Sequence, residues 1–393
     1  MKLALISLLD DGQDNSGPPG LQNIFDGSVL EQQVQFVREL GAETILLISA
    51  AIPGALMQRV DAFRQQDIDV KILRNGADLA KYGSEEGQFL FLGDGVLPGN
   101  EVRNALCGDG PESVFVVDNA EQYSDYERVD LTHRWLGVAV LDTSRLQELE
   151  AIPEDWDVGS ALLRTAVQSG CQREVMTDDQ IESGAIYALR NSDAISEYVQ
   201  HKLHDHDRLR GNFLERFVTW PLARIGVRTL GAMKNAGQYL GVATTILGVF
   251  ACVTAWFAWP VPTLVLLIIA QLVRKQREAF DIFSTDVDRH QSFSSVAVSI
   301  WSAALLILTV KISIPTVVIP NAVIMAGLLL NILAANKLSN NNKLEMFRPD
   351  LMLVLLLALT GGFFGQVFTG FYAGFLISAL YLGLDTYFAK PKS

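Results

Sequence analysis

The chain has 393 residues, 49% of them hydrophobic, and a formal net charge of −13. An acidic surface repels phosphate backbones, which argues against nucleic acid as a partner. Cys107, Cys171 and Cys252 are scattered with no Cys-x2-Cys pair, so neither a disulfide framework nor a cysteine zinc site is suggested, which fits a reducing compartment. The charge is also unevenly spread. Residues 1–207 carry 15 Lys/Arg against 36 Asp/Glu, while residues 208–393 carry 16 against 8 among long apolar runs. One polypeptide therefore reads as an acidic, water-soluble part followed by a membrane part.

The opening run from Met1 to Leu9 looks like the start of a signal peptide, but it stops at Asp10-Asp11-Gly12 rather than at small residues. A first strand over Lys2–Leu9 is expected instead. A helix over Gly27–Leu40 follows from the apolar stripe of Val29, Val34, Phe36, Val37 and Leu40. Further along, strands are expected at Thr44–Ser49, Asp69–Leu73, Gln88–Leu92 and Ser113–Asp118, with helices at Gly54–Gln65 and Gly99–Leu106. Alternating strand and helix predicts a three-layer α/β domain with a mostly parallel sheet. Ligands of such sheets bind beyond the carboxyl ends of the strands. Two loops fall there, residues 10–20 and Gly93-Asp94-Gly95. Asp94 is read either as a metal ligand or as a turn aspartate beside glycine.

His201, His204, Asp205 and His206 have metal-ligand residue types, but in a polar linker a solvated helix face is the expected reading. Residues 208–234 alternate arginines with Phe213, Phe217, Trp220 and Leu222, the pattern of an interfacial amphipathic helix. Six hydrophobic stretches then have span-like lengths: Tyr239–Ala258, Val261–Ala279, Phe293–Val310, Ile314–Ala334, Leu351–Val367 and Phe368–Phe388. Lys and Arg gather before the first stretch, after the second, after the fourth and in the tail, whereas the opposite turns hold only Lys311. The positive-inside rule then places both termini in the cytosol and the protein in a bacterial-type inner membrane.

Residues 1–170 resemble sugar-nucleotide and inositol-phosphate nucleotidyltransferases: a first strand, a Gly-rich loop, a helix, and a strand at Leu40-Gly-Ala-Glu-Thr-Ile-Leu-Leu-Ile48. Gly93-Asp94 is similar to their metal-contacting turn and Leu136–Asp142 to a later sheet strand. That loop, by resemblance, needs basic residues against a triphosphate, yet no Lys or Arg lies between Lys2 and Arg38. Ala188–Val199, the basic helix and Asn235-Ala-Gly-Gln-Tyr239 resemble the connector of fusions between a nucleotidyltransferase and a CDP-alcohol phosphotransferase. The named type joins an inositol-1-phosphate cytidylyltransferase to a phospho-inositol synthase. The resemblance implies a GT-A-like nucleotidyltransferase domain over 1–175, a connector over 176–234 and an all-α, six-span phosphotransferase-type domain over 235–393. It also implies Mg or Mn as cofactor in an active enzyme, a membrane lipid and a CDP-alcohol or nucleotide as ligands, and a homodimer through the spans.

The membrane family's signature, Asp-x2-Asp-Gly-x2-Ala-Arg-x8-Gly-x3-Asp-x3-Asp, supplies metal ligands and a base. Registered on the third span, its carboxylates fall on Arg274, Arg277, Ser295 and Ser299. A guanidinium about 4 Å from a divalent ion costs roughly 8 kcal/mol at an effective dielectric of about 20, so metal-dependent transfer is expected to be lost. For Arg274, Lys275 and Arg277 three readings stand open: positive-inside residues, ligands of a lipid phosphate or pyrophosphate, or partners of Glu278 and Asp281 that close a former active site. The expected function is a non-catalytic partner or regulator in phospholipid or phosphoalcohol metabolism. The alternatives are an active phosphotransferase with a site rebuilt near Arg274, Arg277, Glu278 and Asp281, and a lipid-headgroup or nucleotide sensor; the metal candidates are Asp94 in the soluble part and Glu278 and Asp281 in the membrane part.

Overall fold

The computed structural model describes residues 2–9, 17–24, 27–83, 87–108, 110–152, 156–209, 212–219, 221–222, 225–226, 236–281, 287–338 and 347–388. The chain forms two compact units, Met1–His201 and Lys202–Ser393.

The N-terminal unit is built on strands β1 (Leu3–Ser7), β2 (Asn23–Ile24), β3 (Gly27–Ser28), β4 (Thr44–Ile48), β5 (Asp69–Leu73), β6 (Gln88–Leu92), β7 (Val96–Pro98), β8 (Ser113–Asp118), β9 (His133–Asp142), β10 (Gln172–Val175) and β11 (Ile186–Ala188). Seven of them make one sheet in the order β10-β8-β9-β6-β1-β4-β5. The β5–β4–β1–β6 run and the β8–β10 pair are parallel. β9 runs antiparallel between β6 and β8. Because side chains alternate across a strand, Ala4, Ile6, Ile45 and Leu47 enter one core with helices Val29–Glu39 and Gly54–Gln65. Leu3, Leu5, Leu46 and Ile48 enter a second core with helix Val158–Gln168. Two cores on opposite faces of one sheet are the three layers expected from the alternating pattern.

Two local departures have clear causes. The first helix begins at Val29 rather than Gly27, because Gly27–Ser28 pairs with Asn23–Ile24 and Ser28 closes a capping box with Glu31. β9 starts at His133, and Gly137 within it has φ +89°. A Cβ there would lie 2.4 Å from Val96 Cγ2, so only glycine lets β9 pass this close to the Asp94 turn.

Among its described residues the C-terminal unit has six long helices: Ala236–Trp256, Pro260–Asp281, Val287–Ile312, Val318–Leu338, Leu351–Phe363 and Val367–Phe388. Three stretches among the described residues, Ala236–Trp256, Pro315–Ala334 and Val367–Asp385, are long and apolar enough to cross a membrane. The apolar parts of the third and fifth helices, Val296–Ile312 and Leu351–Phe363, are shorter, and the second ends in the charged run Arg274–Asp281. The expected break between the last two stretches falls at Phe364–Gln366 instead of Val367. The contact surfaces use small residues, as bilayer helices do: Ala251, Ala270, Ala297, Ala304 and Ala358 are all buried. The outer surface is the apolar one. Ile246, Val249, Phe250 and Val253 on the first helix, and Ile319, Val323 and Leu330 on the fourth, are exposed at helical spacing. Such belts mark a surface made for lipid.

Candidate functional site

Each unit contains a polar concavity. In the N-terminal unit it lies beyond the carboxyl ends of β1 and β6, where sheets of this kind hold ligands. A cavity of about 370 Å³ is lined by Ser7, Asp94, Asp125, Glu127, Trp135, Asp157, Ser160 and Arg190, among others. Asp94 is buried in the turn after β6, and its Oδ1 accepts a 2.6 Å hydrogen bond from the Gly20 amide. The turn is held from behind by Gln33, whose amide nitrogen donates to Gly93 and Val96 carbonyls at 2.9 Å. Asp94 thereby anchors the return of the first loop to the sheet. Residues 10–16 of that loop lie outside the described residues.

Opposite Asp94, the segment Asp125-Tyr126-Glu127 forms a second wall. Burial pushes the Glu127 carboxyl upward, a hydrogen bond from Ser160 opposes this, the negative charge of Asp157 adds to it, and Arg164 opposes it. Arg190 packs over the Tyr126 ring at 5.1 Å and donates to the Asp125 carbonyl. Phe91 and Trp135 stack at 4.9 Å on the inner side. The described lining thus sets four carboxylates against one guanidinium, a poor match to a bare triphosphate. No group of three His, Cys, Asp or Glu side chains stands together for a metal among the described residues.

In the C-terminal unit the concavity follows from one face of the second long helix. Gln271, Arg274, Lys275 and Glu278 recur at helical spacing. Glu215 approaches them from a short helical turn preceding the first long helix. Asn212 and Glu215 cap that turn reciprocally: the Asn212 amide donates to Glu215 Oε2 at 3.2 Å and the Glu215 amide to Asn212 Oδ1 at 2.9 Å. Phe213 and Phe217 of the same turn are exposed while Glu215 is buried, so the turn presents its rings outward and its charge inward. Lys275 Nζ lies 2.5 Å from Glu215 and 2.8 Å from Glu278. Arg274 pairs with Glu278 at 3.1 Å and Arg348 reaches Glu215 at 3.6 Å. Asp350 caps the fifth long helix by accepting from the Met352 amide. Around this network is a cavity of about 380 Å³ whose polar lining includes Glu215, Gln271, Arg274, Lys275, Arg348 and Asp350. The rest of its lining is Ser302 with Val298, Leu305, Leu329, Ile332, Leu333 and Leu351.

The sequence candidates distribute unevenly over this geometry. Arg274 and Lys275 line the cavity, and Glu278 pairs with both. Arg277 is buried elsewhere, where a Cβ on Gly241 of the first long helix would lie 2.5 Å from its Nη1. Ser299 is exposed outside the cavity lining, and the side chains of Ser295 and Asp281 lie outside the described residues. His201 packs in the N-terminal unit, sharing a 2.7 Å hydrogen bond with Tyr187. The side chains of His204, Asp205 and His206, and most of the amphipathic helix expected over 208–234, also lie outside the described residues. Sequence reasoning missed Glu215, Gln271, Arg348 and Asp350. The spacing Asn212-x2-Glu215 is a capping-box signal, and Gln271 shares a helical face with Arg274. Nothing local marked Arg348 or Asp350.

No family model and no curated protein matches this sequence. Among solved structures, the chain is similar to a putative glucose-1-phosphate thymidylyltransferase from Bacillus anthracis, with 8% identity over 50% of this chain and 93% of that one and a TM-score of 0.37. It is similar also to the inositol-1-phosphate CTP transferase from T. maritima, with 13% identity over 45% of this chain and 85% of that one and a TM-score of 0.33.

Proposed function

We propose that this chain is a non-catalytic membrane partner or regulator in phospholipid or phosphoalcohol metabolism, built by joining a nucleotidyltransferase-type domain to a phosphotransferase-type helical domain. In this reading all six long helices cross an inner membrane, both termini are cytosolic, and two copies associate through the helices. The distribution of Lys and Arg supports the orientation, and the exposed apolar belts support the bilayer.

One observation carries the non-catalytic reading. Where the resemblance expects metal-binding carboxylates, the second long helix has Arg274 and Arg277, and Arg274 and Lys275 are bound to carboxylates of the protein itself. A divalent ion would have to displace Lys275 from Glu215 and Glu278 and then sit beside a guanidinium. The repulsion alone costs several kcal/mol. The residues present therefore do not fit Mg or Mn, and no transfer step is derived through such an ion. In the N-terminal cleft, Asp94 is engaged with Gly20 and the surrounding lining is acidic, which supports loss of triphosphate binding as well.

The test is CMP release from CDP-alcohols by the purified full-length protein with Mg²⁺ or Mn²⁺ and lipid. The expected result is release no faster than in protein-free controls. Metal-dependent turnover would overturn the reading in favour of an active phosphotransferase with a rebuilt site.

A further inference from the structure

We infer that the cavity of the C-terminal unit binds an anionic phospholipid with a hydroxylated headgroup, its phosphate against Arg274 and a headgroup hydroxyl donating to Gln271. This rests on the membrane reading of the long helices and extends it to a ligand. It does not depend on whether transfer occurs.

Two buried atoms point to such a ligand. Gln271 is only 3% exposed and lines the cavity, yet its Oε1 has no hydrogen-bond partner among the described residues. Arg274, one helical turn further on, pairs with Glu278 through one terminal nitrogen, while its buried Nε has no hydrogen-bond partner among the described residues. A buried acceptor and a buried guanidinium donor left unmatched are costly in a low-dielectric site. Adjacent on one helix face, they are matched together by a group carrying both a hydroxyl and an anionic oxygen. A phosphate diester beside a free hydroxyl has that chemistry. The Trp301 ring centroid lies 5.5 Å from the Arg274 guanidinium carbon, within cation–π range. Glu278, outside the lining, pairs with Arg274 and Lys275, so Arg274, Lys275 and Arg348 stand against Glu215, Glu278 and Asp350, and the phosphate is held by the unmatched Nε donor rather than by an excess of positive charge.

The shape selects a lipid over a soluble phosphate. Beside these polar groups the lining includes Leu305 and Ile332, both buried, and Leu333, which is 55% exposed on the fourth long helix. The lining therefore joins polar groups to apolar ones and reaches a residue of the apolar outer surface. An acyl chain packed on Leu305, Ile332 and Leu333 fits such a lining while the headgroup stays on Gln271 and Arg274. A free phosphate ester would leave the apolar half without a partner.

The inference is tested by retention of lipid on the full-length protein, read by native mass spectrometry and by displacement of a fluorescent lipid in detergent. The probes are phosphatidylglycerol, phosphatidylcholine and glycerol 3-phosphate. Phosphatidylglycerol is expected to bind about tenfold or more tighter than phosphatidylcholine, and glycerol 3-phosphate at millimolar concentration is expected not to displace it. Arg274→Gln should lower phosphatidylglycerol affinity about tenfold or more, since a charge-assisted contact is lost. Gln271→Leu should lower it by up to about tenfold. Ser302→Phe, which narrows the cavity without altering its charge, should exclude the lipid. Equal binding of the two lipids by the wild-type chain would overturn the inference, whatever the variants do. So would displacement by glycerol 3-phosphate, or full retention in a folded Ser302→Phe variant. CMP release is read in a separate assay, so failure of lipid binding and failure of the non-catalytic reading are distinguishable.

Discussion

Lys275 on the second long helix donates to Glu215 across 2.5 Å, tying that helix to the short turn that precedes the first long helix. Both side chains are mostly buried, at 18% and 10% exposure. A buried pair of this kind is expensive to break from one side and inexpensive to replace as a whole.

Glu215→Ala should therefore destabilise the helical unit by about 3 kcal/mol. The double variant Glu215→Ala with Lys275→Met should recover most of that loss, and Lys275→Met alone completes the set. Thermal unfolding of the full-length protein in mild detergent, read as a double-mutant cycle, measures both. A single variant as stable as the wild type would show that the pair contributes little.

The Asp94 turn depends on two glycines in left-handed backbone. Gly95 has φ +68°, and a Cβ there would lie 2.7 Å from the Pro19 Cβ. Gly137 would meet Val96. Gly137→Ala and Gly95→Ala should each lower the stability of the N-terminal unit by about 2 kcal/mol, detected as an earlier denaturant midpoint. The exposed Gly170, also at positive φ but with no neighbour within 4 Å, should cost less when changed to Ala.

Glu127 predicts a slope of stability with pH. Its folded-state pKa is raised, first by burial, so the folded protein holds this proton more tightly than the unfolded chain does. Its contribution is fully present below the ordinary glutamate pKa and is lost as pH rises through the higher folded value. Stability should accordingly fall over that window, while Glu127→Gln should flatten the slope and stabilise the protein at neutral pH. Glu112 has the opposite sign. The Arg145 guanidinium holds its carboxyl below the usual range against burial, and that contribution is lost as pH falls through the depressed value. The difference between wild-type and variant unfolding curves across pH isolates each group.

If the orientation is right, Cys107, which is exposed in the N-terminal unit, is alkylated by an impermeant maleimide only from the cytosolic side. A cysteine placed at Ile314, which is 67% exposed between the third and fourth long helices, should react only from the other side. Labelling of both from one side would rule out the six-span arrangement.

Mg²⁺ and Mn²⁺ should leave the unfolding temperature of the full-length protein unchanged, and EDTA should have no effect. A ligand that binds only the folded state raises its stability by mass action. A saturable rise with either ion would show a metal site that the paired carboxylates Glu215 and Glu278 do not account for.

Much of the architecture was legible in the chain because it follows from local periodicity. The expected bounds of Gly54–Gln65, Asp69–Leu73, Gln88–Leu92 and Ser113–Asp118 coincide with the observed elements, since each apolar pattern is bracketed by turn residues. The first helix starts at Val29, two residues later than its apolar period implies. Gly27–Ser28 pairs with Asn23–Ile24, and this small ribbon is invisible to helical periodicity. At the cavity, Arg274 and Lys275 of the lining and their partner Glu278 were legible as neighbours on one helix. Arg348, Asp350 and Glu215 arrive from segments distant in sequence, and no spacing rule links them to that helix.

By itself the sequence determined the division of the molecule: an acidic α/β unit ahead of a basic, apolar helical one. Transfer of apolar surface from water depends on composition and period, and both are properties of the chain alone. The charge partners were decided only by the tertiary structure. The strength of an ion pair depends on distance and burial, so the same lysine is a solvated loop charge in one packing and a buried strut between Glu215 and Glu278 in another.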